Sequence, residues 1–102
     1  QTNPELHVVV GVSDGAVLGG YEEMMAAGRT GDDVVLVGLD AVEEAVAKIK
    51  EGGIYRGTVD IDPFGSGKLI IETSEKLMNG EVISEMIKFP MTPVTEENID
   101  KY

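Results

Sequence analysis

The residues that could contact a ligand lie at the ends of three predicted strands. Ser13 and Asp14 come directly after the first apolar run, Asp40 follows the second, and Ile61 and Asp62 end the third. In open α/β sheets ligands bind beyond the carboxyl ends of the strands, so neighbouring strands would bring these positions to one edge. The carboxylates of Asp14 and Asp40 and the hydroxyl of Ser13 could form charge-assisted hydrogen bonds with a polyhydroxylated ligand there.

The two aspartates have a second interpretation, as helix caps. Ser13 or Asp14 precedes a predicted helix, and Asp40 with Glu43 has the spacing of a capping box, with Asp in place of Ser or Thr. From position alone capping is favoured for both aspartates, and more strongly for Asp14. The two roles are compatible, because one carboxylate oxygen can cap a helix while the other contacts a ligand.

The sequence lacks the motifs of catalysis and of metal binding. It has no Cys, and its one histidine, His7, lies early in an apolar strand and is interpreted as a packed or edge residue. The segment Phe64–Gly67 resembles a phosphate-binding turn only faintly and lacks the lysine of a P-loop, so we interpret it as hinge and cap. Without a nucleophile–base pair, the sequence predicts a protein that is not an enzyme and that uses no cofactor or metal.

The charge of the chain restricts its partners. There are 8 basic and 19 acidic residues, which gives a formal charge of −11. Nucleic acids and anionic membrane surfaces are bound through clustered Lys and Arg, so neither is an expected partner. No apolar run approaches the ~20 residues of a membrane span, so no membrane insertion is expected. A length of 102 residues, 42% of them hydrophobic, allows one domain or a piece of one.

Apolar periodicity predicts alternating strands and helices. Short apolar or alternating runs predict strands at 6–12, 33–39, 55–61 and 83–89, and the first of them reads as buried on both faces. The resulting order, β-α-β-α-β-α-β with a C-terminal tail, predicts an α/β fold with a mostly parallel sheet and flanking helices.

Turn and cap residues predict where the helices begin and end. Gly28 is expected to end the first helix, where a left-handed backbone is needed, and Gly52 and Gly53 are expected to end the second. Ser66 is expected to cap the third helix, with Leu69, Ile70, Thr73 and Leu77 on its inner face. Thr95 is expected to cap a short helix in the tail.

Four segments in order resemble the last third of the type I periplasmic sugar-binding proteins of the ribose-binding group. They are SDGAVLGGYEEMMAAG, DVVLVGLDAVEEAVAKIKEGG, GTVDIDPFGSGKLIIETSEKLMNGE and FPMTPVTEENIDKY. The family pattern has an Asn-Asp turn before a helix, a Val-Gly-Phe-Asp strand end, a helix closing in Lys-Glu-Gly, and a Thr-Val-Ala-Gln-Asp-Pro crossing. The resemblance covers nearly the whole chain.

This resemblance implies two α/β lobes that close around a sugar and deliver it to an ABC permease. The family's sugar-binding Asn corresponds to Ser13, its Asp to Asp40, and its Gln at the crossing to Ile61. Only Asp40 matches, and Ile61 cannot form a hydrogen bond. The ligand is therefore expected to be a monosaccharide or polyol bound differently from ribose, such as a deoxy sugar, a smaller polyol or a sugar with a differently placed ring.

The resemblance also implies that the chain is incomplete. Residues 1–61 would belong to the C-terminal lobe, and residues 62–102 would include the hinge crossing, a helix and strand of the first lobe, and the tail. The missing N-terminal part of the same protein is then a partner, and the isolated chain is expected to form a homo-oligomer, to swap elements or to repack. The expected location is periplasmic or extracellular, with a lipid anchor in a Gram-positive source.

Two other classes of protein remain alternatives. One is the effector domain of a lactose-repressor-type transcription regulator, which shares the fold and the Gly-Phe-Asp strand end. The other is a stand-alone flavodoxin-like binding module, which would need a cluster of aspartates after the first strand. Residues 13–14 supply only one carboxylate there.

Overall fold

The computed structural model describes Asn3 and residues 5–102, and within them four strands form one sheet. In sheet order these are β1 (Val8–Val10), β2 (Val35–Val37), β3 (Tyr55–Asp60) and β4 (Thr92–Thr95). The first two pairings, β1 with β2 and β2 with β3, are parallel. Helices α1 (Asp14–Ala26), α2 (Glu43–Glu51) and α3 (Pro63–Met78) follow the first three strands, and a 3-10 helix spans Ile99–Lys101. The predicted α/β fold with a mostly parallel sheet is confirmed.

The chain divides into two compact units. The first, which we call the sheet unit, holds the described residues up to Asp60 together with Pro93–Tyr102, and the second, the helical unit, holds Ile61–Thr92. The assignment of residues 1–61 and 62–102 to two lobes of a larger protein stays a prediction.

The core of the sheet unit lies on one face of the sheet. Leu36 of β2 and Tyr55 of β3 are paired neighbours, exposed by 0% and 1%. Side chains of α1 and α2 belong to the same buried cluster, including Val17 and Ile49. Both helices pack on this face, because parallel strands joined in order by right-handed crossovers place their helices on the same side.

The opposite face of β1 is uncovered in the described chain, which contradicts the expectation that this strand is buried on both faces. Val8 and Val10 are exposed by 57% and 75%, whereas Val9 between them packs against the core. An apolar run of this kind predicts burial, but burial also needs a second layer. The strand is also shorter than the predicted range 6–12.

Two predicted helix ends are confirmed. Gly28 follows the cap of α1 with φ +73°, and Gly52 caps α2 with φ +77°. Both angles lie in the region where a residue without Cβ is favoured.

The predicted cap of the third helix is wrong. Helix α3 begins at Pro63, and its cap is Asp62, whose Oδ1 accepts a hydrogen bond from the Gly65 N–H at 2.9 Å. Ser66 lies inside the helix and donates its hydroxyl to the Ile61 carbonyl at 2.8 Å. Proline at the first helical position is favourable because its absent N–H would have had no partner there.

The strand predicted at 83–89 is also wrong, because these residues form no strand. A strand needs a partner for its backbone N–H and C=O groups, and none of the four described strands pairs with these residues. The predicted inner face of α3 is likewise not buried: Ile70 is 52% exposed and Leu77 55%.

The tail ends in a 3-10 helix whose cap is Asn98. Thr95, the predicted cap, is instead the last residue of β4, and its hydroxyl accepts a hydrogen bond from the Glu97 N–H at 3.4 Å. In the part of the chain that the structure describes, no helix combines the length and the apolarity needed to cross a bilayer.

Candidate functional site

The loops after β1 and β2 meet at the carboxyl edge of the sheet. The N–H of Asp14 donates to the Leu39 carbonyl at 2.7 Å, and Oδ2 of Asp14 accepts from the N–H of Val42 at 3.0 Å. The structure thus brings Ser13 and Asp14 together with the loop that carries Asp40, as the strand order requires.

Asp14 is inside the protein. It is the first residue of α1 and is 0% exposed. Its Oδ1 accepts hydrogen bonds from the hydroxyls of Tyr55 and Thr58, both at 2.7 Å. With Oδ2 bonded to Val42, the carboxylate has protein donors on both oxygens, and the positive end of the helix dipole favours a negative charge at this position.

The buried carboxylate affects its tyrosine neighbour. Burial raises the pKa of Tyr55 well above its ordinary value, and the hydrogen bond to Asp14 and the negative charges of Asp14 and Asp40 raise it further. Tyr55 therefore stays protonated as the donor to Asp14 throughout the neutral range.

Ser13 is the cap of α1. Its backbone is extended, and its Oγ accepts a hydrogen bond from the Ala16 N–H at 3.3 Å. The residue is half-buried at the edge where the two loops meet. A serine hydroxyl that accepts from a helix still carries a proton that it can donate.

Asp40 lies in a turn with an uncommon backbone. We call Asp40–Val42 the Asp40 turn; Asp40 has φ +115° and Ala41 φ +56°. The capping box predicted for Asp40 and Glu43 is wrong: the cap of α2 is Val42, which makes no side-chain cap hydrogen bond. Asp40 is half-buried, and its carboxylate has no hydrogen bond or ion pair with another residue that the structure describes.

Ile61 belongs to the helical unit, directly after β3 in the chain. It is half-buried, and its carbonyl accepts the Ser66 hydroxyl. Its aliphatic side chain offers neither a donor nor an acceptor.

Sequence reasoning missed Tyr55 and Thr58. Both lie in the strand predicted at 55–61, and no sequence pattern assigns either of them a role at the site. Thr58 is 3% exposed, so its hydroxyl needs a partner. A hydroxyl within an apolar strand was the available signal, but its partner lies 44 positions away in the chain.

His7 has a structural contact. Its Nδ1 lies 2.8 Å from the Asp33 carbonyl, beside the pairing of β1 with β2. Among the residues that the structure describes, no group of three or more His, Asp or Glu side chains could hold a metal ion.

The structure defines an α/β domain in which the loops after β1 and β2 meet at the carboxyl edge of a mostly parallel sheet. Residues 1–81 match the family model described as "Periplasmic binding protein domain". The chain therefore belongs to this family, as the resemblance in its sequence implied.

Relatives and solved structures agree with this assignment. The chain is 33% identical over 96% of its length to a protein of Rhizobium meliloti named as a rhizopine-binding protein, of which it covers 31%. It is 27% identical over 95% of its length to the ribose import binding protein of Bacillus subtilis strain 168, of which it covers 30%. The crystal structure of an ABC transporter solute binding protein from Mycobacterium smegmatis with bound glycerol matches 99% of the chain with a TM-score of 0.84 and 31% identity, and the chain covers 34% of it. The chain thus spans about a third of the length of these proteins, all of which are named as binding proteins.

Proposed function

We propose that this chain contributes to a solute-binding protein of an ABC transporter, which binds a monosaccharide or a polyol and delivers it to a permease. Membership of the periplasmic binding protein family supports the class of protein. The relatives' names support the class of ligand, because one is named for ribose import and one solved structure holds glycerol.

The observation that carries the proposal is the Asp40 carboxylate. It is half-buried at the carboxyl edge of the sheet, and no described residue bonds to it. The positive φ angles of Asp40 and Ala41 add a conformational cost of the kind found at ligand-binding positions. A carboxylate in this setting can accept hydrogen bonds from two hydroxyls of one ligand.

Two further positions set the preference among ligands. The Ser13 hydroxyl lies at the same edge and is the proposed second polar contact, although it is shorter than the family's Asn. At Ile61, where the family has Gln, a ligand hydroxyl left without a partner would cost about 1–3 kcal/mol. A deoxy sugar or a smaller polyol therefore fits the proposal better than ribose. Asp14 is assigned no ligand contact, because its carboxylate is buried and bonded to protein donors.

Membership of the family also supports a proposal about the rest of the protein and its location. The remainder of the protein would complete the binding site, and the protein would act in the periplasm or outside the cell. The lipid anchor and the association of the isolated chain stay predictions. No observation favours the transcription-regulator alternative or an enzyme, since the relatives reported above are transport or binding proteins.

Calorimetric titration of the complete gene product with D-ribose, 2-deoxy-D-ribose, xylitol and glycerol tests the proposal. We expect at least one of these ligands to bind. Asp40→Asn should weaken that binding by at least about a hundredfold, because it removes the charge from hydrogen bonds to two hydroxyls. Asparagine tolerates positive φ, so the turn itself should persist.

Asp32→Ala is the matched control. Asp32 is an exposed carboxylate that precedes β2, at the opposite edge of the sheet. Its removal should leave the affinity unchanged. Unchanged affinity in Asp40→Asn, or no binding of any of the titrated ligands by the parent protein, would contradict the proposal.

A further inference from the structure

The Asp40 turn is strained and must be held by its surroundings. Asp40 and Ala41 are successive residues with a Cβ, and both have positive φ. For L-residues other than glycine the left-handed region is unfavourable, and such conformations persist only where neighbouring contacts hold them. The contacts that hold this turn therefore determine where the Asp40 carboxylate lies.

Three successive N–H groups of the turn have acceptors elsewhere in the sheet unit. The bonds are Asp40 N–H to the Val59 carbonyl (2.9 Å), Ala41 N–H to Thr58 Oγ1 (3.2 Å) and Val42 N–H to Asp14 Oδ2 (3.0 Å). The first continues the pairing of β2 with β3. The other two depend on side chains, so substitution can remove them without changing the backbone.

Both side-chain bonds lead to Asp14. It accepts from Val42 directly, and its Oδ1 accepts the hydroxyl proton of Thr58 at 2.7 Å. A threonine hydroxyl has only one proton. Because that proton is donated to Asp14, the lone pairs of Thr58 Oγ1 are available to the Ala41 N–H.

We propose that Asp14 is the positioning residue of the binding site: its buried carboxylate, directly and through Thr58, fixes the Asp40 turn so that the Asp40 carboxylate is held ready for ligand. This inference rests on the proposed function and deepens it. Asp14 acts on Asp40 only through the hydrogen bonds that reach the backbone of the Asp40 turn, and Asp14 itself does not contact the ligand.

Substitutions that keep shape but change hydrogen bonding test the proposal in the complete gene product. Asp14→Asn replaces one carboxylate oxygen with an N–H₂ group, which then faces one of the three groups that donate hydrogen bonds to the carboxylate. Thr58→Val removes the hydroxyl, and Thr58→Ser retains it. We expect Asp14→Asn and Thr58→Val each to weaken binding of the tightest ligand among D-ribose, 2-deoxy-D-ribose, xylitol and glycerol by about tenfold or more, the effect of losing a charge-assisted hydrogen bond. Thr58→Ser should keep most of the parent affinity, because serine retains the hydroxyl.

A core variant separates positioning from general stability. Ile49→Ala removes a side chain that is 4% exposed, and no hydrogen bond of the turn involves it. It should lower the urea midpoint of unfolding while leaving the dissociation constant within about twofold of the parent value, since the ligand contacts are unchanged. If the affinity of all these variants simply follows their unfolding midpoints, Asp14 has only a structural role and the proposal is overturned.

Amide hydrogen exchange gives a readout that needs no ligand. In Asp14→Asn the amides of Ala41 and Val42 should exchange at least about tenfold faster, while the amide of Leu36 in the core keeps its parent rate. Unchanged exchange at Ala41 and Val42 overturns the positioning role, whatever the ligand results.

If Asp40→Asn abolishes binding but Asp14→Asn does not, only the positioning role fails. If the exchange rates rise as expected but Asp40→Asn binds normally, the turn is held by Asp14 and the proposed function fails instead.

Discussion

Tyr55 donates its hydroxyl to the Asp14 carboxylate over 2.7 Å at a position where the two residues are 1% and 0% exposed. This bond joins β3 to the start of α1 across 41 positions of the chain. A polar pair of this kind is stabilising only when every donor and acceptor has a partner. The Thr58 hydroxyl and the Val42 N–H supply the remaining partners of Asp14.

Stability at alkaline pH should depend on Tyr55. Burial first, and then Asp14, raises the pKa of Tyr55 above its ordinary value of 10.0. Above about pH 10 the unfolded chain therefore releases this proton while the folded chain keeps it, so the free energy of the unfolded state falls relative to that of the folded state. The contribution is fully present below about pH 10 and is lost progressively as the pH rises towards the folded pKa.

Urea unfolding as a function of pH checks this expectation. Tyr55→Phe should be less stable than the parent by about 1–2 kcal/mol at neutral pH, because Asp14 loses one donor. The difference should shrink above about pH 10, because the variant has no hydroxyl to ionise at this position. A difference that stays constant through the alkaline range would show that Tyr55 ionises alike in both states.

Gly38 is required by the same hydrogen-bonded cluster. It lies between β2 and the Asp40 turn, and a Cβ built on it would overlap the Asp14 carboxylate and the Tyr55 hydroxyl and approach the Asp14 Cα at 3.1 Å. Gly38→Ala should therefore lower the free energy of unfolding by about 1–3 kcal/mol, as overpacking of a core does. Urea denaturation followed by circular dichroism measures the loss.

Gly19→Ala is the control for this substitution. Gly19 lies inside α1, and a Cβ there meets nothing within 4 Å. Alanine is favoured over glycine in a helix, so this variant should gain about 0.5–1 kcal/mol. Equal effects of the two substitutions would mean that Gly38 is not closely packed.

The start of α3 should depend on Asp62 more than on Ser66. Asp62→Ala removes the acceptor of the Gly65 N–H and places alanine at φ +42°, so we expect a loss of about 1 kcal/mol in the local stability of the helix start. Asp62→Asn should be nearly neutral, because asparagine also caps helices and tolerates positive φ. The amide exchange rate of Gly65, compared among the parent and the two variants, checks the expectation.

Ser66→Ala distinguishes the observed cap from the one that the sequence predicted. It removes a hydroxyl that donates to the Ile61 carbonyl and leaves the Gly65 N–H bonded to Asp62. Exchange at Gly65 should therefore stay close to the parent rate. Faster exchange at Gly65 in Ser66→Ala than in Asp62→Ala would contradict the observed cap.

The parts of the fold that the sequence predicted correctly are those decided by neighbouring residues. The alternation of the first three strands and helices follows from apolar periodicity, and Gly28 and Gly52 end their helices because a left-handed backbone favours glycine. The family could also be identified at this level, because its segments keep their order and spacing along the chain.

The errors arose where a second element decides the outcome. An alternating pattern at 83–89 predicts a strand, but no partner strand pairs with it in the described chain. The apolar run of β1 predicts burial on two faces, yet Val10 is 75% exposed because only one face is covered. A pattern shows which surfaces are suited to burial, and the other elements determine which of them are buried.

The candidate site shows the same division. The sequence by itself determined that Ser13, Asp14 and Asp40 follow strands whose carboxyl ends share one edge of a parallel sheet. Only the tertiary structure decided that Asp14 is buried and that no residue the structure describes bonds to the Asp40 carboxylate. The reason is that the donors of Asp14, which are Val42, Tyr55 and Thr58, lie 28, 41 and 44 positions away. Hydrogen bonds over such separations exist only after the strands have paired, and no local pattern of residue types encodes them.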